Sequence, residues 1–568
     1  MSNTIGTASE QLLHFLQNNF LSQSQDQNIQ ASLAIVDILV SAKCCFRCCL
    51  RFLGCTTFQL YTFDHNVLQS ALNDISLKNS VQKRYDISTD LICTACLGSI
   101  QLAETYVDEV YEKLKEQNYK VDSCSLNCTL PISILTRDHL LKAHIVNTLQ
   151  EQHKDQPFTA DVLRALEDTN VRDPKDFFKY LFGLKLKERT GLELDTDGPL
   201  RMTVVIDHKP TSKDHLFMTK LKEPLLKIRT IRQKRARVTA GESRSNVTEA
   251  LKKLDIEEAK QFTRIPPIPP TEKAKFDSVS LVHVSTYVGG RYLKFSRDYS
   301  QTPWAIKGQK LAEHSVSGCI VDILKKYHRA DDTKFVSAGR EDANVRMLGT
   351  GRPFYVELIN PRTPQLTEDE YKKIENEINS QPLHMKNVQV RQICYIPAKY
   401  TSIIKEGEET KTKQYRALVW LSDPITDELI ERVNNYGSTP FTIQQKTPVR
   451  VFQRRSAAVR PKVIHTSTIK RLRDDVDLKS PEAHFGVVKL HTQAGTYIKE
   501  YVHGDLGRTL PNLASIAHTH SADLLELDVM DVDLIWPPVE LAKKALDAKD
   551  TPAITNENNK RIFPSAAL

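Results

Sequence analysis

Ser337-Ala-Gly-Arg-Glu-Asp-Ala-Asn-Val-Arg-Met-Leu-Gly-Thr-Gly-Arg-Pro-Phe354 is the stretch on which the reading of this 568-residue chain turns. Asp342 stands there among Arg340, Arg346 and Arg352, between glycines that let the backbone turn tightly and approach a ligand closely. Opposite charges within a few ångströms favour the ionised carboxylate. Guanidiniums are also natural donors to phosphate oxygens. The segment therefore suits one nucleophilic or basic carboxylate in a site for a phosphate-rich polymer, with the three arginines as substrate contacts. It suits equally a solvated loop whose charges pair with one another.

The chain is too long for one core, and two to four domains are expected. It is 40% hydrophobic and 26% charged, the composition of a folded soluble protein. A net charge of +8 and a pI near 8.7 are compatible with a nucleic-acid partner without requiring one. No segment approaches the roughly twenty uninterrupted apolar residues of a membrane span, so no membrane partner is expected. Met1–Phe20 lacks the basic start and apolar middle of a signal peptide and is not an Arg-rich transit peptide. The expected location is nucleus, cytoplasm or both.

Two halves are distinguishable. Residues 1–270 read as an accessory half. They open with helical periodicity at Leu12, Leu13, Phe15 and Leu16 and again from Leu33 to Leu39, and later carry a strand-like Met202-Thr-Val-Val-Ile206. The run Lys227–Arg237 is strongly basic, and a charged helix is expected over Val247–Phe262. Ile265-Pro-Pro-Ile-Pro-Pro270 can neither continue a helix nor sit in a central strand, and marks the expected boundary. Residues 271–568 alternate short apolar runs (Ser280–Val288, Phe354–Ile359, Val388–Ile396, Arg416–Leu421, Phe485–Leu490) with helical stretches (Ser317–Tyr327, Glu368–Ile378). Leu525–Leu534 alternates polar and apolar like a half-buried strand. This pattern predicts an α+β catalytic half. Gly349-Thr-Gly351 lacks the frame of a dinucleotide site and reads as a loop.

Nine of the eleven cysteines fall between Cys44 and Cys128. Cys45-Phe-Arg-Cys48 and Cys93-Thr-Ala-Cys96 are two CxxC pairs, and four thiolates make a closed tetrahedral set for a structural Zn²⁺. Buried reduced cysteines are the alternative, and Cys44 and Cys49 leave the register of the first pair open. A zinc deaminase is excluded, because no histidine is followed two residues later by Glu.

Gly495-Thr-Tyr-Ile-Lys-Glu-Tyr-Val-His-Gly-Asp-Leu-Gly507 follows the apolar Gly486–Leu490, with Lys499 read at a strand's end. This segment is similar to the third motif of pseudouridine synthases, in which a basic residue after Tyr-Ile pairs with a catalytic aspartate. Gly339-Arg-Glu-Asp342 resembles their second motif. Together with Arg346–Phe354 and the two CxxC pairs, the combination resembles the pseudouridine synthase 10 family, archaeal and eukaryotic tRNA enzymes. The resemblance implies a pseudouridine synthase catalytic domain behind an N-terminal α/β accessory domain with a structural zinc and a THUMP-like region. It implies Asp342 as catalytic carboxylate, Lys499 as its basic partner, Tyr415 as the tyrosine that stacks on uracil, and Tyr501 as a pocket residue. It also implies tRNA as partner, the adjacent uridines at tRNA positions 54 and 55 in the TΨC loop as targets, and no organic cofactor. The chemistry fits the residue types. Breaking the C1′–N1 bond builds an oxocarbenium-like centre that a nearby carboxylate stabilises or traps, and a base that must leave its stack favours an aromatic platform.

Gly289-Gly-Arg-Tyr-Leu-Lys-Phe-Ser-Arg297 interleaves basic and aromatic residues and suits RNA contact. The strip Gln453-Arg-Arg455 with Arg460-Pro-Lys462 suits it too. Two other readings are an RNA-binding module without catalysis and a glycosidase-like hydrolase using Glu341 with Asp342.

Overall fold

In the computed structural model, residues 2–20, 24–79, 83–168, 171–233, 236–240, 242–306, 309–453, 455–538 and 540 are described. The chain divides into Met1–Val282 and His283–Leu568. The proline-rich Ile265–Pro270 thus lies inside the first unit instead of ending it. Strand Lys275–His283, which follows it, joins the first unit's sheet beside Leu200–Asp207. The apolar run expected over Ser280–Val288 is therefore split between two sheets, the second beginning with strand Thr286–Lys294.

The first unit packs helices with a four-stranded sheet, in the order Glu193–Leu194, Ser123–Thr129, Leu200–Asp207, Lys275–His283. Ser123–Thr129 runs parallel to both its neighbours. The period-two signal of the expected strand is real: Leu200, Met202, Val204 and Ile206 all point into the core. Helix Gln25–Ser41 starts at a Ser24/Gln27 capping box and buries Leu33, Ile35, Val36 and Leu39. The charged segment expected as one helix over 247–262 is two, Arg244–Lys252 and Ile256–Ala259, the second capped by Asp255. The basic run forms the paired strands Arg229–Gln233 and Ala236–Ala240, with Lys234 and Arg235 outside the described residues.

The second unit is built on a ten-stranded mixed sheet. Its order is Val388–Ile396, Thr286–Lys294, Val345–Ile359, Ala522–Val532, Lys413–Leu421, Phe485–Thr492, Val459–Arg471, Phe441–Lys446 and Thr509–Leu510, with Asp332–Ser337 paired to Val345–Ile359. Val345–Ile359 and Ala522–Val532 run parallel at the centre, while the flanking pairs are antiparallel. Helices Val316–His328 and Glu368–Ser380 bury Ile320, Leu324, Ile374 and Ile378. The α+β expectation for this half holds.

Gly349-Thr-Gly351 is not a loop. It is an irregularity inside the long strand, where the register against Thr286–Lys294 shifts between Met347 and Arg352. Both glycines have positive φ, and a Cβ on Gly349 would fall 1.8 Å from the Met530 carbonyl. The bulge needs glycine there because the neighbouring backbone occupies the space.

Candidate active site

Asp342 lies in the short connection between strands Asp332–Ser337 and Val345–Ile359. Gly339, at φ +88°, turns the chain there. A Cβ on it would meet Lys413 Nζ at 2.8 Å and Arg352 Nη1 at 3.0 Å. The two adjacent carboxylates then part company. Glu341 turns inward, where it accepts from Arg352 Nε at 2.8 Å and from the Tyr292 hydroxyl at 2.9 Å. Asp342 turns outward, its side chain 49% exposed. The two cannot flank one bond, which removes the paired-carboxylate hydrolase reading.

Lys499 Nζ sits 2.9 Å from Asp342 Oδ2, and Arg450 Nη1 3.4 Å from the same oxygen. Partial burial alone would raise the Asp342 carboxyl, but Lys499, Arg450 and Arg340 outweigh it and hold the group below the ordinary carboxylate range. It is ionised at neutral pH. Lys499 is not at a strand's end as expected: Gly495, at φ +74°, turns the chain, and Lys499 opens the short helix Ile498–His503. Arg450 was not foreseen. It comes from a 3-10 turn, Val449–Val451, and its Nε donates at 2.7 Å to Glu500, which is 1% exposed. Only its nearness to the basic strip hinted at it.

The remaining predicted residues divide. Arg340 is exposed and acts on Asp342 through its charge. Arg346 is half-buried and makes a bidentate pair with Asp528, at 2.8 and 2.6 Å. Arg352 is corrected: it is 1% exposed and committed to Glu341 and the Ala338 carbonyl, so it is scaffolding and not a phosphate contact. Tyr501 is corrected too. It is fully buried against Phe441, with its hydroxyl 3.0 Å from Ser467 Oγ, and lines no open pocket. Tyr415 lies half-buried on strand Lys413–Leu421 beside Arg352; burial pushes its phenol up to about 12 against the opposing guanidinium, so it stays protonated.

Of the stretch expected to touch RNA, Arg291, Tyr292 and Lys294 are buried, while Phe295 is exposed and Arg297 partly so. Lys294, fully buried, donates to the carbonyls of Tyr299, Asp342 and Ala343 at 2.8, 3.2 and 2.7 Å. Arg291 donates to Thr350, Gly351 and Leu534 carbonyls. Tyr292 serves Glu341, and Arg297 pairs with Glu526 and Asp528. In the other expected strip, Arg460 donates to Thr447 and Lys462 to the Ala494 carbonyl, while Arg454 lies outside the described residues.

In the first unit, the sulfurs of Cys45, Cys48, Cys93 and Cys96 all lie within 4.8 Å of one another, buried. A tetrahedral ion with bonds of about 2.3 Å needs sulfurs about 3.8 Å apart. Cys45 stands at the N-terminal boundary of helix Phe46–Phe52, so one turn presents Cys45 and Cys48 together towards Cys93 and Cys96. The Cys45 backbone N–H donates to Cys93 Sγ at 3.3 Å, and the buried Arg51, paired with Asp138, donates to Cys48 Sγ at 3.3 Å. These donors stabilise thiolate charge, and the set could hold a metal ion.

Residues 287–533 match the family model described as Pus10, C-terminal, and residues 93–281 that for eukaryotic Pus10, N-terminal. The chain is 32% identical over 534 residues to the tRNA pseudouridine synthase Pus10 of Xenopus laevis, covering 89% of this chain and 98% of that one. It is 34% identical over 450 residues to the human protein of that name, covering 79% of each. Among solved structures, a Cbf5–Nop10–Gar1 complex aligns over 42% of this chain and 47% of its own, at 13% identity and a TM-score of 0.23.

Proposed function

Since the chain belongs to the Pus10 family of pseudouridine synthases, and is an isomerase of that class, we propose that its substrate is tRNA and its target the adjacent uridines of the TΨC loop, with Asp342 as catalytic carboxylate. The observation that carries the reading is Asp342 itself: an ionised, accessible carboxylate with two cations on one oxygen, within the matched region.

The C1′–N1 bond breaks with its electron pair leaving on uracil, and the Asp342 carboxylate covers the electron-poor C1′. The freed uracil turns, and C5 bonds to C1′. C5 then gives up its proton and N1 takes one up, so mass is unchanged. Lys499 and Arg450 keep Asp342 anionic before the attack. Tyr415, protonated at neutral pH, offers a ring on which the extruded base stacks.

The test is release of tritium from tRNA carrying uridine labelled at C5, wild type against Asp342→Asn. Release by wild type and none by the variant supports the reading. Release by the variant overturns the role of Asp342. No release by either, with tRNA still bound, favours the RNA-binding module.

The four-cysteine set fits a structural Zn²⁺, whose loss would unfold the first unit before it touched the chemistry. Metal analysis should find one zinc per chain in the wild type and none in Cys93→Ser; a metal-free wild type removes the zinc.

A further inference from the structure

We infer that Arg450 is a positioning residue for this reaction: its guanidinium, anchored by the buried Glu500 carboxylate, pins one oxygen of Asp342 so that the other faces C1′. The inference rests on Asp342 being the reacting carboxylate.

Three observations lead to it. First, Lys499 and Arg450 both meet Oδ2, and among the described residues no hydrogen bond reaches Oδ1. The carboxylate is therefore divided into a held oxygen and a presented one. A half-exposed aspartate with a single lysine partner would not be held so, since exposed pairs of that kind are weak and mobile.

Second, Arg450 is itself held. Its Nε donates at 2.7 Å to Glu500 Oε1, and its Cζ lies 6.0 Å from the Tyr497 ring centre. The turn that carries it is tied down on both sides. The Val449 N–H donates to Asp505 at 3.3 Å, and Arg508 donates to the Thr447 carbonyl at 2.7 Å.

Third, Glu500 is an expensive residue to keep. It is 1% exposed, and its second oxygen, Oε2, is buried without a hydrogen-bond partner. A charge buried with half its acceptors unused is not explained by stability. It is explained by what it holds. Lys499 and Glu500 are successive residues of one short helix, so a single element sends one cation to Asp342 directly and fixes the second through its carboxylate.

The charged groups that face Asp342 are Lys499 from that helix, Arg450 from its turn, Arg340 from Asp342's own connection and the buried Lys294 below; Glu500 faces Arg450. Removing Arg450 removes one of the cations that depress the Asp342 carboxyl and frees its rotation.

The experiment measures single-turnover tritium release at saturating tRNA, its pH profile, and equilibrium tRNA binding. Wild type is compared with Arg450→Ala, Arg450→Lys, Glu500→Gln and the Asp342→Asn control. Arg450→Ala should slow the saturated rate by about 10- to 100-fold with tRNA affinity within about threefold, as a small misplacement of a reacting group would. Its acid limb should move to higher pH. Arg450→Lys should recover part of the rate, and Glu500→Gln should fall in the same direction by less. Arg450 is partly exposed and its variants should fold even if Glu500→Gln does not, which a thermal melt reads.

An unchanged saturated rate with weakened binding would make Arg450 a phosphate contact and overturn the inference. So would no change in either quantity. An active Asp342→Asn would overturn the reading of Asp342 and this inference with it. An inactive Asp342→Asn beside a normal Arg450→Ala would overturn this inference alone.

Discussion

The cations below Asp342 and those above it are the same residue types with opposite duties. Arg291, Lys294 and Arg352 are at most 3% exposed and give their N–H groups to backbone carbonyls or to the buried Glu341. Lys499 and Arg450 are partly exposed and give theirs to the carboxylate of Asp342. In the lower set, Lys294 and Arg352 hold the Asp342 loop, and Arg291 holds the bulge at Thr350 and Gly351. The upper set decides what its carboxylate does. Burial and partner separate the two, since the side chains do not.

Among the buried cations, Arg352 has the largest expected effect. Arg352→Leu leaves Glu341 charged and buried without its cation, and should cost about 3–5 kcal/mol of stability by thermal or denaturant unfolding. Arg352→Lys should not restore it, because an ammonium cannot reproduce the guanidinium's fixed fork to Glu341 and Ala338. A loss below about 1 kcal/mol would mean the lower set is not scaffolding.

Lys294→Met removes a donor from three carbonyls that hold the loop, at a cost of about 1–3 kcal/mol, and should also slow tritium release by loosening Asp342. A pH signature sharpens this. Burial lowers Lys294 from 10.5 to about 8 in the fold, so between those values the unfolded chain binds more protons than the native one. The lysine therefore adds stability as pH rises from 8 to 10.5, up to about 3 kcal/mol. The difference between wild type and Lys294→Met, followed across that window, should show the rise. A flat difference would mean the amine is not desolvated.

Lys499→Ala should have the smallest effect on stability, within about 1 kcal/mol, because its pair with Asp342 is partly solvated. Its effect belongs to the rate of tritium release. A large stability loss with an unchanged rate would place Lys499 in the lower set.

Much of the architecture was legible because it follows from local periodicity. Strand Val388–Ile396 and the core faces of Val316–His328 and Glu368–Ser380 came from apolar spacing alone. The clustering of Cys45, Cys48, Cys93 and Cys96 was legible because CxxC spacing is a property of one turn. Asp342 and its partner Lys499 were legible through two motifs more than 150 residues apart, which the fold brings to 2.9 Å.

The errors share one cause. Arg291 and Lys294 looked like parts of an RNA strip, Arg352 like a phosphate donor and Tyr501 like a pocket residue, and all four carry their polar atoms inward. Which face of a strand or helix is buried depends on what packs against it, and that comes from segments remote in the chain. The unit boundary was misplaced for a similar reason: the prolines mark a break in regular structure, but strand pairing after the break decides membership.

Strand alternation, cysteine spacing and the motifs that carry the carboxylate and its lysine are local properties of the chain. That Glu341 is buried and Asp342 exposed, that Arg450 reaches Asp342 across 108 positions of chain, and that Glu500 holds it there, are set by long-range packing. Adjacent side chains of one connecting segment face opposite ways according to the partners they meet, and a charge's role depends on its surroundings. Those surroundings come from segments remote in the chain.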